Sequence, residues 1–314
     1  MPSDKIDFYS STNLKSYNLD DIMKYQLSML DRMDMFTRRH SENVANLTCR
    51  VCEYLHCKKP FTIHATICGY LHDIGKLAIP PEILNKPGKL TDEEFAVMKT
   101  HTTIGYEMCM NDLKLRPYSD GAYYHHEALD GTGYPQGLTK KDIPYVAQII
   151  RVCDEYDAIV TKRQYTTHVN ISETLKELIK DAQPQEYMKT VALDALKEKE
   201  KVGKINPKAL RALFKVVIDD TLYEISCVID YIKYLEEQLE RLDKIERWDN
   251  RRIKAKSEKK KKYYEEGMNL LFKPGESIEN YKQVIQEYKD AIIVREDVKK
   301  KLYNEIRIIK KLRV

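Results

Sequence analysis

Eight histidines are spread through the 314-residue chain, and five of them fall at His40, His72, His101 and the adjacent pair His125-His126. Two of these places add charged neighbours: Asp73 and Lys76 follow His72, and Glu127 follows His126. Farther along, Asp154 and Asp157 stand three residues apart. Imidazole together with carboxylate suits iron, manganese, zinc or nickel. Two metals sharing a bridging carboxylate take roughly six or seven such ligands, delivered from several helices. This chain has that supply. A single helical histidine is ordinarily a surface or hydrogen-bonded core residue, so the recurrence carries the reading rather than any one position. On a helix His72 and Asp73 lie ~100° apart and Lys76 one turn beyond His72. An ion could then hold the pair while the ammonium faces whatever the ion binds.

The elements that must position these residues read as helices. Ile63, Ile67, Leu71 and Ile74 share one face and predict a helix from Phe61 to Lys76, ended by Pro80-Pro81. Thr91-Asp92-Glu93-Glu94 has the capping-box form and starts a helix with Phe95, Met98, Thr102 and Gly105 on one side, holding His101. The segment Asp130-Gly131-Thr132-Gly133-Tyr134-Pro135 demands a turn or loop. A helix from about Val146 to Val160 sets Asp154 and Asp157 on one face. Gly203 and Asn206-Pro207 mark another helix start. From Leu222 the apolar residues Ile225, Ile229, Ile232, Leu235, Leu239, Leu242, Ile245 and Trp248 predict a long amphipathic helix. Lys273-Pro274-Gly275-Glu276-Ser277 then breaks the tail into a helical hairpin. With 11 Gly and 11 Pro and helical spacing almost throughout, the fold class is all-α.

Composition excludes several classes. The chain is 42% apolar and 32% charged with 53 Lys and Arg against 49 Asp and Glu, which fits neither a disordered nor a membrane protein. No apolar run approaches the ~20 residues of a membrane span. The first twenty residues carry Asp4, Asp7 and Asp20 and no apolar block, so a cytoplasmic protein is expected. Seven cysteines without an export signal argue against a disulfide framework. Cys49, Cys52 and Cys57 beside His56 read as small buried helix residues rather than a metal cluster. Residues 251–314 hold 19 Lys and Arg against 10 Asp and Glu, so the body before them is net acidic. The basic stretch Arg251 to Lys262 reads as a solvated helix face, because only Trp248 and Tyr263-Tyr264 accompany it as stacking aromatics; a nucleic-acid partner is not expected.

Taken in order, His40, His72-Asp73-Ile74-Gly75-Lys76, His101, His125-His126-Glu127, Asp130-Gly131-Thr132-Gly133-Tyr134-Pro135 and Asp154-x-x-Asp157-Ala158 resemble the HD-GYP subfamily of HD-domain metal phosphohydrolases. The connecting text agrees, from Ile79-Pro80 through Lys86-Pro87-Gly88-Lys89-Leu90-Thr91 to Arg163-x-Tyr165. The resemblance covers about residues 36–225, and the tail from about 226 has no counterpart in it. It implies an HD-domain helical bundle that uses two or three metals, usually iron or manganese with other transition metals open, to hydrolyse cyclic di-GMP or a related cyclic dinucleotide. Carried over, His40, His72, Asp73 and Asp154 would bind one metal, and Asp73 as a bridge, His101, His125 and His126 the other. Lys76 would lie beside the scissile phosphate, which makes Asp73 and Lys76 the catalytic pair. Gly133, Tyr134 and Pro135 would shape the pocket wall, and Arg163 would meet a substrate phosphate. His56, His64 and His168 match nothing in the pattern and read as structural, as does Asp157, taken for a packing or capping group.

The chain also departs from the family. Members with three metals carry a Glu one turn before the first histidine, where this chain has Phe36, so two metals are expected. The usual Arg-Trp after His-His-Glu is Ala128-Leu129, and residues 180–201 look like an insertion. The expected organisation is a lead-in over 1–22, the phosphohydrolase domain over 23–225, and a helical, basic extension over 226–314 that offers a face to a second copy or a protein partner. Two rivals stay open: a phosphohydrolase for another cyclic dinucleotide or nucleotide, and a receptor that binds a cyclic dinucleotide without turnover.

Overall fold

The computed structural model describes residues 35–164, 171–184 and 202–314, with the backbone alone for 161–164. The described chain is helical and holds no strand; one bridge pairs Asp130 with Thr139. In order come α1 (Met35–Tyr54), α2 (Lys59–Leu71), a 3-10 turn (Ile74–Ala78), α3 (Pro81–Leu84), α4 (Asp92–Lys99) and α5 (His101–Asn111). A 3-10 turn (Arg116–Tyr118), α6 (Ser119–Tyr124), α7 (Tyr145–Gln164) and α8 (Ile171–Ala182) follow. The last three helices are α9 (Pro207–Lys254), α10 (Glu258–Asn269) and α11 (Tyr281–Ile309). The chain divides into two compact units, Met1–Val217 with Leu312–Val314, and Ile218–Lys311. No helix among the described residues is long and apolar enough to cross a membrane.

In the first unit, α1, α2 and α7 bury Val44, Ala45, Val51, Ala65, Cys68, Ile149, Ile150 and Cys153 completely. Beside them Ile67, Leu71, Ile74, Cys109, Leu115 and Ala122 form a cluster that ties the end of α2 to α5 and α6. Each large aliphatic side chain so buried is worth about 1.5–3 kcal/mol. Two glycines set how closely these elements approach. A Cβ on Gly121 would come within 2.7 Å of the Cys68 Cβ, and one on Gly75 would overlap the His101 carbonyl. The ends of α2, α5 and α6 are thereby drawn to one place.

That close approach corrects the expected helix from Phe61 to Lys76, which stops at Leu71. Asp73 leaves the helical region at φ −98°, ψ 10°, and the 3-10 turn carries Gly75 against the backbone of His101. The helix expected to run from Asp92 past Gly105 is likewise interrupted, at Thr100. There the Thr100 N–H and hydroxyl both bond to the Val97 carbonyl, at 3.0 and 2.6 Å, a local competition that ends a helical turn. The capping box is present: Glu94 N–H donates to Thr91 Oγ1 at 3.3 Å and Thr91 N–H to Glu94 Oε2 at 2.8 Å. Asn206 caps α9 by accepting from the N–H groups of Lys208 and Ala209.

The second unit has its own core, Leu242, Ile245, Met268, Tyr281 and Ile285. Arg241 grips Glu276 with two bonds of 2.6 Å, and the Tyr281 hydroxyl donates to Asp249 at 2.9 Å. The apolar series read from Leu222 onward does not all face inward: Leu222 and Ile229 are exposed, whereas Ile225, Ile232, Leu235, Leu242 and Ile245 are buried. All seven cysteines are free, and Cys49 and Cys52 are buried in α1 as small helix residues.

Candidate metal centre

Five elements of the first unit converge on one spot. His40 comes from α1, His72 and Asp73 from the junction of α2 with its 3-10 turn, and His101 from the first residue of α5. His125 and His126 follow the end of α6, and Asp154 projects from α7. His72, Asp73, His101 and His125 are buried, with His40 and His126 partly open. The two oxygens of Asp73 face different histidines. Oδ1 lies 3.5 Å from His101 Nε2 and 3.8 Å from His125 Nε2; Oδ2 lies 3.3 Å from His72 Nε2 and 3.7 Å from His40 Nε2. Asp154 completes the ring, Oδ1 at 3.0 Å from His40 Nε2 and Oδ2 at 3.9 Å from His126 Nδ1.

The backbone fixes which ring nitrogen points inward. His72 Nδ1 donates to the Gly69 carbonyl at 2.7 Å, His101 Nδ1 to Met98 at 2.7 Å, and His125 Nδ1 to Gly121 at 2.9 Å. A carbonyl can only accept, so each of these rings keeps its proton on Nδ1 and turns an Nε2 lone pair inward. His101 Nε2 and His125 Nε2 then oppose each other at 3.2 Å. His72 Nε2 and Asp73 Oδ1 are buried with no hydrogen-bond partner among the described residues. Converging lone pairs and an orphaned buried carboxylate oxygen are costly by themselves and fit divalent transition-metal ions. The donors form two groups, His101 with His125 and His126, and His40 with His72 and Asp73, each spanning no more than 4.8 Å.

Electrostatics supports the same use. Burial lowers His101, drives His125 well below its ordinary range and brings His126 down to about 3, so these rings are neutral donors. Burial would raise both carboxylates, yet the Lys76 ammonium holds Asp73, and the hydrogen bond from His40 holds Asp154, well below the usual range. At His40, burial is outweighed by hydrogen bonds to Asp154 and Asp157 and the charge of Asp73, which raise it to about 10. A site that stabilises a proton so strongly attracts cations.

Around this centre, Lys76 Nζ sits 2.5 Å from Asp73 Oδ2. The Tyr134 ring stacks on His126 with centroids 4.7 Å apart and planes at 28°. Gly133 lets the loop run directly against the backbone of Glu127 and Ala128, where a Cβ would collide. Tyr134 N–H donates to the His126 carbonyl at 3.1 Å, with Pro135 following half-buried. Arg163 belongs to the last turn of α7, but its side chain lies outside the described residues, as do Tyr165 and His168.

At the centre the sequence named one residue, Asp157, without its role, and missed another, Arg151, altogether. Asp157 accepts from His40 Nδ1 at 2.7 Å and from Asn43 at 3.0 Å, so it orients a ring instead of merely packing or capping the helix. Its signal was the three-residue step from Asp154. Arg151 donates to the carbonyls of His126 and Glu127 at 2.8 and 3.2 Å and pairs with Glu155 at 2.7 Å; no motif marks it. Glu127 itself points away, accepting from the N–H groups of Gln136 and Leu138 at 2.6 and 2.8 Å and closing the glycine-rich loop.

The family model of the HD domain matches residues 24–191. Among curated proteins, the chain is 41% identical over 155 residues to a cyclic di-GMP phosphodiesterase of Thermotoga maritima, covering 48% of this chain and 42% of that protein. It is 37% identical over 177 residues to a cyclic di-GMP phosphodiesterase of Pseudomonas aeruginosa, covering 56% and 42%. It is also 32% identical over 160 residues to a 3'3'-cGAMP-specific phosphodiesterase of Vibrio cholerae, covering 50% and 37%. The matched segment thus spans about two fifths of each relative's length. With a family match over more than half its length, falling on the segment that builds the histidine–aspartate centre, the chain belongs to the HD domain family.

Proposed function

We propose that this chain is a metal-dependent phosphodiesterase that opens cyclic di-GMP to the linear dinucleotide. The observation that carries the reading is the placement of Asp73, one oxygen toward His101 and His125 and the other toward His40 and His72. His40, His72, Asp73 and Asp154 would hold one divalent ion, and Asp73, His101, His125 and His126 a second, iron or manganese on the family resemblance, with other transition metals open to the same donors. Bound there, the pair supplies a water-derived nucleophile at neutral pH and screens the phosphoryl oxygens.

The chain's own residues do the rest. Asp73 holds the Lys76 ammonium beside the spot where the scissile phosphate would lie, so the charge is already in place when the phosphate arrives. Tyr134, fixed on His126, gives a flat wall for a guanine base, with Gly133 and Pro135 holding its backbone. Arg163 is assigned to a substrate phosphate. The second unit, whose exposed apolar residues include Ile229, Ile293 and Val294, is assigned to contact with another protein or a second copy.

The relatives named for cyclic di-GMP support this substrate, and the Vibrio cholerae relative named for 3'3'-cGAMP keeps a mixed guanine–adenine dinucleotide as the second reading. A receptor without turnover would have no need of so complete a donor set. The test is anaerobic purification with elemental analysis, followed by chromatography of products from cyclic di-GMP and cyclic GMP-AMP. Bound transition metal with production of linear dinucleotide is expected; a metal-loaded protein that binds cyclic di-GMP and leaves it intact would overturn the reading.

A further inference from the structure

A cyclic dinucleotide carries two phosphodiesters, and only one of them reacts at a time. The other brings a negative charge and a base to the rim of the site, and the rim holds a group suited to both. Phe95 and Lys99 lie one turn apart on α4, which brings the Lys99 ammonium to 5.2 Å from the Phe95 ring centroid and 5.9 Å from that of Tyr134. Phe95 meets Tyr134 edge-on, with centroids 6.4 Å apart and planes at 82°, and Tyr134 rests on His126. The segment is fixed to the centre, because His101, two residues after Lys99, donates from Nδ1 to the Met98 carbonyl.

Two features set this group apart from an ordinary solvated helix face. Phe95 is a large aromatic left 46% exposed although it adjoins the centre. Lys99 is half-buried, yet no carboxylate of the described residues lies within ion-pairing distance of it; Glu94, the acid nearest to Phe95 in sequence, is engaged by Lys86 at 2.6 and 2.8 Å. Ring quadrupoles hold an ammonium in place without neutralising it. The charge remains available to an anion.

We propose that Phe95, Lys99 and Tyr134 form the substrate edge that receives the non-scissile half of a two-phosphate nucleotide, Lys99 meeting the second phosphodiester and the open face of Phe95 a base. This rests on the cyclic-dinucleotide reading above. It makes Lys99 a specificity residue, selecting substrates with a second phosphate over simple diesters.

The test uses the metal-loaded full chain with two substrates, cyclic di-GMP and bis(4-nitrophenyl) phosphate, the latter having one phosphate and no base. Lys99→Gln should lower kcat/KM for cyclic di-GMP by about tenfold to a hundredfold relative to that for the aryl diester, through KM and not kcat. Lys99→Arg should restore most of the difference, and Phe95→Ala should raise KM in the same selective way. Equal effects of Lys99→Gln on both substrates, or none on either, would overturn the proposal. A wild-type protein that cleaves the aryl diester and neither binds nor cleaves cyclic di-GMP would instead overturn the function on which it rests, and the proposal with it.

Discussion

His40 Nδ1 and Asp157 Oδ2 are joined at 2.7 Å, while the other nitrogen of the same ring lies 3.0 Å from Asp154 Oδ1. Two carboxylates one helical turn apart on α7 therefore hold opposite edges of one imidazole, and Asn43 steadies the outer carboxylate at 3.0 Å. Asp157 is placed to fix how His40 presents itself to the centre. Such outer partners typically carry about 10–100-fold in metal affinity. Asp157→Ala should reduce bound metal by half while leaving the His101, His125 and His126 group occupied. Elemental analysis after dialysis checks this; unchanged content and affinity would show that His40 needs no second partner.

Asp73 and Lys76 separate two roles within one ion pair. Asp73 addresses both donor groups, so Asp73→Ala, or treatment with a chelator, should abolish hydrolysis and deplete metal together. Lys76 meets the centre as the ion-pair partner of Asp73 and not as a donor to a metal, so Lys76→Ala should keep its metal and lose about 10²–10³ in kcat, the scale of a lost charge-stabilising donor. Wild-type turnover and metal content in Asp73→Ala would contradict the assignment of the centre.

Much of this centre was legible in sequence because its donors come from residue types that are conspicuous in a helical chain, at His40, His72-Asp73, His101, His125-His126 and Asp154. What escaped depends on approach in space. The end of α2 at Leu71 follows from Gly75 meeting the His101 backbone, a constraint that the apolar spacing of Ile63, Ile67, Leu71 and Ile74 does not contain. Arg151 escaped because its partners are main-chain carbonyls of residues some two dozen positions earlier, which carry no side-chain signature. In the tail, spacing identified a long amphipathic helix but could not say that Leu222 and Ile229 would stay exposed, since that depends on where its neighbours end.

The second unit should have an acid limit set by Arg241 and Glu276. The Arg241 guanidinium, through its hydrogen bonds, holds Glu276 below the ordinary glutamate value of 4.5. Because the folded-state value is the lower one, this pair stabilises above pH 4.5 and its contribution is lost as pH falls through the folded-state value. Glu276→Gln should cost about 1–2 kcal/mol at neutral pH, less than a fully buried pair because Arg241 retains some exposure to water. The same variant should flatten the fall in melting temperature below pH 4.5. An unchanged acid limit in Glu276→Gln would assign the sensitivity to other carboxylates.

Metal count turns on the first turn of α1. A carboxylate four residues before His40 would lie on the same helix face and recruit a third cation, but that residue is Phe36, an exposed aromatic ring with no lone pair to donate. The donors among the described residues gather instead into two groups, around His40 with His72 and Asp73 and around His101 with His125 and His126. On the proposed reading two ions would suffice for the first ring-opening step, since Asp73 faces both groups. The linear product carries a terminal phosphate with additional negative charge, and without a third cation less positive charge meets it. The second cleavage should then be the slower one, with linear dinucleotide accumulating before GMP. Phe36→Glu supplies the missing carboxylate and should raise metal content from near two toward three per chain while shortening the lifetime of the linear product. Anomalous scattering from a third ion beside Phe36 in the unaltered protein would refute the count, and rapid conversion to GMP without accumulation would refute the kinetic consequence.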